Sequence, residues 1–141
     1  LTALQGSLAD SGHGPVVGMG MIMVRVWIVG VVIGSGLQVS AIWQGAAGGN
    51  VVAATSSLSL YAGLAGGVGL LLVSLAVAAT KEGLQSILSY IVALALAVTL
   101  VFSVVGILDT AQWDVVQPIT AVSYVLVTLW SIMLGREMLN S

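Results

Sequence analysis

Long apolar runs dominate the sequence, and short polar segments separate them. A helix needs about 20 apolar residues to cross the hydrocarbon core of a bilayer. Four runs meet this length, and they cover residues 16–44, 58–80, 84–108 and 115–135. Each run is about twice as long as a transmembrane β-strand and lacks the alternation of polar and apolar positions that such a strand shows. The pattern therefore predicts four membrane-spanning helices.

The segments between these runs are short, at residues 45–57, at the turn TKEG (80–83) and at residues 109–114. Short links between consecutive helices make them antiparallel neighbours. We therefore predict one all-α transmembrane domain over residues 1–141, with four helices in an up-down arrangement and a polar tail at residues 1–15. The segment 45–57 consists of small, uncharged residues, and we expect it to be either a flexible exterior link or a packed cover.

Small residues at a spacing of four mark the faces through which these helices are expected to pack. Lipid gives helices no hydrophobic reason to associate, so membrane helices pack through close backbone approach. Three such pairs overlap within residues 62–69, which favours a central position for the second span. The predicted helix-packing residues are Gly30, Gly34, Ala62, Gly63, Gly66, Gly67, Gly69, Ala93 and Ala97.

The composition supports a lipid environment and limits the function classes. Charged residues make up 6% of the chain and hydrophobic residues 59%, which is far from the composition of a soluble domain. A net charge of −2 from three basic and five acidic residues argues against direct sequence-specific binding of nucleic acid. The chain has no cysteine, so disulfides and thiolate chemistry are excluded. Membrane lipids are the predicted partners.

Counting spans places all three basic residues on one side of the membrane. Arg25, Lys81 and Arg136 are therefore predicted to contact lipid phosphates there, and the positive-inside rule makes that side cytoplasmic. For Arg25 to contact lipid phosphates, the first span must begin at residue 26 and the Arg25 side chain must extend to the membrane boundary. The alternative is a functional arginine buried near the middle of the membrane.

Tryptophans mark the expected interfaces. Trp27 and Trp43 are 16 positions apart, or roughly 24 Å along a helix, and Trp113 and Trp130 have a similar spacing. These distances suit aromatic belts on the two sides of a bilayer, so all four are predicted to be interface anchors. The apolar residues 16–24 then lie beyond the boundary, and they need a partner that covers them.

Candidate chemistry is scarce. His13 is the only histidine, and no metal-ligand spacing, nucleophile elbow or phosphate-binding loop accompanies it. Spans two to four carry no Asp, Glu, Lys, Arg or His, whereas ion-coupled carriers keep such acidic or basic groups inside the bundle. We therefore predict no catalytic residue, metal or cofactor, and we do not expect an enzyme.

Residues 58–108 form two apolar helices around the polar turn TKEG. This hairpin resembles the subunits of conjugative (type IV secretion) pili and of the coats of lipid-containing archaeal viruses. The resemblance covers about a third of the chain, and those subunits commonly have two hydrophobic helices rather than four. It implies a small subunit that assembles with lipid, in which Lys81 at the turn meets phosphates.

These observations lead to one expectation and two alternatives. The expected function is that of a non-enzymatic structural protein in the membrane, which self-assembles with lipid as the repeated subunit of a pilus-like filament or a virion coat. The expected partners are lipids and further copies of the chain, and the location is integral to a membrane or to an extracellular or virion assembly derived from one. The sequence leaves open a small four-span channel and an accessory subunit of a larger membrane complex.

Overall fold

The protein consists of four long α-helices, seen in a computed structural model that describes residues 6, 8, 12–45 and 49–140. Within these residues there is no β-strand. All four helices are long and apolar enough to cross a membrane, which confirms the predicted all-α membrane fold. They are α1 (Gly14–Gln44), α2 (Gly49–Thr80), α3 (Gly83–Leu108) and α4 (Trp113–Asn140), and a short 3₁₀ turn (Thr110–Gln112) precedes α4.

Consecutive helices run in opposite directions. Each helix packs along its neighbour in the chain, whereas α1 and α4 do not pack along each other in the described part of the chain. Two contacts between each pair of helices fix these directions. Gly20 meets Gly69 and Gly34 meets Ser59 between α1 and α2. Ser86 meets Ala78 and Leu100 meets Gly67 between α2 and α3, and Ser89 meets Trp130 and Gly106 meets Val116 between α3 and α4. This order is consistent with the predicted up-down arrangement.

Charged residues bracket α3 and so mark the two ends of the apolar layer. We call the end with Lys81 and Glu82 end A, and the end with Asp109 and Asp114 end B. The turn at end A is tight because Gly83 takes a positive φ of 65°, which glycine adopts without strain. At end B the Asp109 carboxylate accepts a hydrogen bond from the Ala111 backbone N–H at 3.1 Å, which stabilises the 3₁₀ turn.

Helix α2 begins at Gly49, so residues 49–57 are helical, although the sequence places them in a loop. Thr55 lies buried in this segment, and its hydroxyl donates to the Val52 carbonyl at 3.0 Å. Ala41 on α1 is buried as well. Packing between the two helices therefore outweighs the low helix propensity of this Gly-, Ser- and Thr-containing stretch. The paired ends of α1 and α2 extend beyond Leu108 by about 13 Å.

The beginning of α1 packs inside the bundle. Val17, Met21 and Val24 are buried, and Val17 and Met21 join one hydrophobic cluster with Val73 and Val77 of α2. Residues 16–24 therefore lie level with the other helices of the bundle, which cover part of their surface, and their place relative to the membrane boundary stays a prediction. The surplus length of α1 lies at end B instead.

Most of the predicted polar tail at residues 1–15 lies outside the described residues. Leu8 is one of the described residues in this tail, and its side chain is 1% exposed in the hydrophobic cluster at end A. This part of the tail is consequently packed against the bundle.

Candidate functional site

A hydrophobic cluster closes the bundle at end A. It brings together Val17 and Met21 of α1, Val73, Ala76 and Val77 of α2, Val92 and Leu96 of α3, and Trp130 and Leu134 of α4. The indole N–H of Trp130 donates to the Ser89 hydroxyl at 2.8 Å, and that hydroxyl donates to the Gln85 carbonyl at 2.7 Å. All four helices contribute to this cluster, which fills the space between them at this end in the part of the chain that the structure describes.

Between this cluster and end B the four helices enclose a cavity of about 200 Å³. Side chains from every helix line it, and most of them are apolar. The lining residues are Trp27 of α1, Ser59, Leu60, Gly63, Leu64, Gly67 and Leu70 of α2, Leu96, Thr99, Leu100 and Ser103 of α3, and Trp113, Thr120, Ser123, Tyr124 and Val127 of α4. This cavity is more enclosed than the groove between α3 and α4 that Ile91, Leu94 and Pro118 line, and it is the candidate site.

Two of the hydroxyls in the cavity wall join α3 to α4. The hydroxyl oxygens of Thr99 and Ser123 lie 2.5 Å apart. The Thr99 hydroxyl also donates to the Ala95 carbonyl at 2.9 Å, and the Ser123 hydroxyl approaches the same carbonyl at 3.3 Å. Thr120 donates to the Val116 carbonyl at 2.9 Å. These three hydroxyls are therefore satisfied within the protein.

Three polar groups of the cavity wall towards end B have no such bond, and neither do the Trp27 indole N–H and the Tyr124 hydroxyl near mid-depth. The hydroxyls of Ser59 and Ser103 and the indole N–H of Trp113 form no hydrogen bond with any residue that the structure describes. All three side chains are half-buried and lie in the part of the cavity towards end B. Polar groups at membrane depth are costly when they lack a partner, so these donors favour an occupant that offers an acceptor.

An aromatic pair bridges the open side of the bundle. The rings of Trp27 on α1 and Tyr124 on α4 stack with centroids 6.3 Å apart and an interplanar angle of 24°. The Trp27 side chain also lies against Gly66 of α2, where an added Cβ would overlap it. The pair crosses the gap between the two helices that do not otherwise pack along each other.

Arg25 lies near the middle of the apolar layer. Its neighbours along α1 fix the depth, because Val24 contacts Gly69 and Trp27 contacts Gly66. Residues 66–69 of α2 are about 18–22 Å from Lys81 along the helix axis. Arg25 therefore lies well away from Lys81 along the bundle axis, and its contact with lipid phosphates at the membrane boundary stays a prediction. The side chain is exposed, and none of the described residues forms an ion pair or a hydrogen bond with it.

The other two basic residues are at end A. The Lys81 ammonium forms an ion pair with the Glu137 carboxylate, with Nζ 2.7 Å from Oε1. This charge is neutralised within the chain, which departs from the expected contact between Lys81 and lipid phosphates. Arg136 is exposed at the same end, and its contact with lipid phosphates stays a prediction. Lys81 and Arg136 therefore both lie at end A, whereas Arg25 lies away from that end.

We expect the Lys81–Glu137 pair to contribute little to stability. Its side chains are 33% and 41% exposed, and exposed ion pairs contribute about 0–1 kcal/mol. Glu137→Gln should therefore lower the free energy of unfolding by less than about 1 kcal/mol, and this effect should fade in high salt. The measurement is unfolding in mixed micelles at two salt concentrations, with Glu82→Gln as the matched control. A loss of several kcal/mol would show that the pair is a structural requirement.

The predicted helix-packing residues have different surroundings. Gly30, Gly34, Ala62, Gly66 and Gly69 lie in the α1–α2 contact, and Gly67 lies against Leu100 of α3. Ala93 is buried and Ala97 is half-buried on α3. Gly63 differs, because a Cβ added there would meet nothing within 4 Å, and its surface lines the cavity.

The four tryptophans also separate into classes. Trp130 is only 3% exposed and belongs to the core, and Trp27 stacks on Tyr124, so the role of these two as interface anchors stays a prediction. Trp43 is 86% exposed near the end of α1, as an interface residue would be. Trp113 begins α4 at end B, half-buried against Gly106.

The site residues predicted from the sequence do not define this cavity. A signal was present, because Thr99 and Ser103 are four residues apart on α3, and Thr120 and Ser123 are three apart on α4. Such spacings put each pair on one helix face. Gly63 and Gly67 form a third face of small residues on α2. Three such faces on consecutive helices are what a shared internal space would require.

No three His, Asp or Glu side chains come together within the described residues, so the structure offers no metal-binding group there. The length and apolar composition of the four helices make the chain an integral membrane protein. In comparisons with known proteins, no family model, no curated protein and no solved structure matches this chain.

Proposed function

We propose that this chain is a structural, non-enzymatic membrane protein that works by assembling with further copies of itself in lipid. The observation that carries the proposal is the position of Arg25. A guanidinium at mid-depth on the outer face of α1 would face hydrocarbon in a single copy, and arginine at the centre of a membrane helix costs about 3 kcal/mol even on the lowest scales. Intramembrane charges almost always face protein or enclosed water.

A second copy of the chain supplies what the single copy lacks. The face around Arg25 carries Ile22, Val29, Val32 and Gly36, all exposed. Copies packed against this face would enclose the guanidinium between helices or in water that the assembly surrounds. The outer faces of α3 and α4 carry only uncharged residues along their apolar lengths, so they suit contact with lipid.

A filament or a closed coat is the form of assembly that we propose. The resemblance of residues 58–108 to pilus and coat subunits supports it. The outer faces of α3 and α4 support it as well, because they carry no charge along their apolar lengths and so suit contact with lipid. A pore through one copy has less support, because the cluster around Trp130 and Leu96 closes end A. A defined complex with other proteins is an outcome that the test below distinguishes.

Replacing Arg25 with leucine is the direct test. In an assembly that encloses the guanidinium, Arg25→Leu should raise the dissociation constant between copies at least tenfold, because polar contacts made by a buried charge are lost. Arg136→Leu, which removes an exposed charge at end A, should leave association unchanged. The measurement is sedimentation of the purified variants in mild detergent over a range of concentrations.

Two results would overturn the proposal. Undiminished association of Arg25→Leu would mean that the charge does not lie at the contact between copies. Wild-type particles that contain a second kind of polypeptide in fixed ratio would instead identify an accessory subunit of a larger complex.

A further inference from the structure

The cavity between the helices is elongated along the bundle axis. Its lining on α2 begins at Ser59 and ends at Leu70, a distance of about 16 Å along the helix. That is about half of a hydrocarbon core of about 30 Å, and therefore about the depth of one leaflet. The volume is about 200 Å³, so the space is narrow relative to its length.

Polarity changes along this length. Towards the middle of the membrane the walls are Leu70, Leu96 and Val127. In the central part the hydroxyls of Thr99 and Ser123 form hydrogen bonds with each other and with the Ala95 carbonyl. Three donors without a described partner, those of Ser59, Ser103 and Trp113, lie in the part towards end B, and the side chains of Trp27 and Tyr124 carry two more near the middle.

The cavity has a lateral route from the membrane. The cluster around Trp130 closes it at end A, and α2 and α3 close it at the back. On the remaining side α1 and α4 do not pack along each other, and the Trp27–Tyr124 stack bridges the gap at one depth. Between this stack and end B, a chain from the surrounding leaflet can enter between the two helices.

From this combination we propose that the cavity holds one hydrocarbon chain of a glycerolipid from the leaflet at end B. The chain fills the apolar part as far as Leu70. The oxygen that links the chain to glycerol lies near end B, where it accepts a hydrogen bond from Ser59, Ser103 or Trp113. Occupation satisfies donors that are otherwise unpaired at membrane depth. This site belongs to a single copy and does not depend on assembly.

Gly63→Leu tests the proposal by filling the cavity. Gly63 lines the cavity, and a Cβ added there would meet nothing within 4 Å, so a leucine side chain at this position would extend from open space into the cavity. The matched control is Gly135→Leu, which adds the same side chain at an exposed glycine of α4 that also has open space around it. Native mass spectrometry of each protein, washed in mild detergent after purification from glycerolipid membranes, counts the lipids that remain bound.

We expect one glycerolipid per chain for the wild type and for Gly135→Leu, and at least a tenfold lower occupancy for Gly63→Leu. The double variant Ser59→Ala, Ser103→Ala keeps the cavity open and should lower occupancy severalfold, which provides a second test should Gly63→Leu fail to fold. Retention of lipid by Gly63→Leu at the control level would place the lipid on the outer surface and overturn the proposal.

Two further outcomes would also overturn it. A wild-type protein that emerges without lipid from washes that preserve its fold would mean that the cavity is empty or holds water. Recovery of free fatty acid in place of glycerolipid would assign the site to a different ligand source.

Discussion

Gly69→Leu is expected to separate α1 from α2 and to destabilise the fold more than any other single change at a glycine. A Cβ added at Gly69 would lie 2.6 Å from the Gly20 carbonyl oxygen and 3.0 Å from the Val24 backbone nitrogen. Backbone atoms cannot move aside as a side chain can, so the two helices must move apart. We expect a loss of more than about 3 kcal/mol in the free energy of unfolding, at the upper end of overpacking effects.

The matched control for this prediction is an exposed glycine of α4. Gly135→Leu introduces the same side chain where an added Cβ would meet nothing within 4 Å, and it should leave the free energy of unfolding within about 1 kcal/mol of the wild type. Unfolding in mixed micelles, followed by tryptophan fluorescence and circular dichroism, compares the two. Equal stability of the two variants would mean that α1 and α2 do not meet at Gly20 and Gly69.

Trp130→Ala is the second large effect that we expect. Trp130 belongs to the cluster at end A to which all four helices contribute, and its removal leaves a cavity and takes away the N–H that donates to the Ser89 hydroxyl. Truncation of a buried tryptophan costs about 3–5 kcal/mol. In lipid this cost comes from lost packing and hydrogen bonding, since burial away from water is not what holds membrane helices together.

Two companion variants separate the contributions. Trp130→Phe keeps much of the ring volume and removes the indole N–H, so it should cost about 1–3 kcal/mol, as is typical for the loss of a buried hydrogen-bond partner. Trp43→Ala removes an 86% exposed ring and should cost less than about 0.5 kcal/mol. The same unfolding assay measures all three. A Trp130→Ala protein as stable as Trp43→Ala would contradict the assignment of Trp130 to the core.

The number and placement of the four helices follow from the sequence because they depend on apolar length alone. The turn TKEG and the aspartates at 109 and 114 mark boundaries that the structure keeps near residues 80–83 and 109–113. The start of α2 cannot be predicted from apolar length or from charged boundary residues. Residues 49–57 combine Gly, Ser and Thr, which locally favour a loop, and only their packing against the end of α1 makes them helical.

The depth of Arg25 could not be predicted because it depends on the register of α1 against α2. Tryptophan spacing suggested a boundary between residues 25 and 27, and that inference required Trp27 to be an interface residue. In the structure Trp27 packs on Gly66 and Tyr124, and the contact of Gly20 with Gly69 sets the register. The cavity is hard to predict for a related reason, because it depends on how the hydroxyl-bearing faces of separate helices come together.

The size of the wild-type particle tests the central claim most directly, namely that copies of this chain cover the Arg25 face of α1. The measurement is electron microscopy and mass determination of the protein extracted from its membrane with its surrounding lipid, at increasing concentration. Our account predicts filaments, shells or closed oligomers that contain many copies of this one chain together with lipid. A particle that keeps the mass of a single chain at every concentration would contradict it.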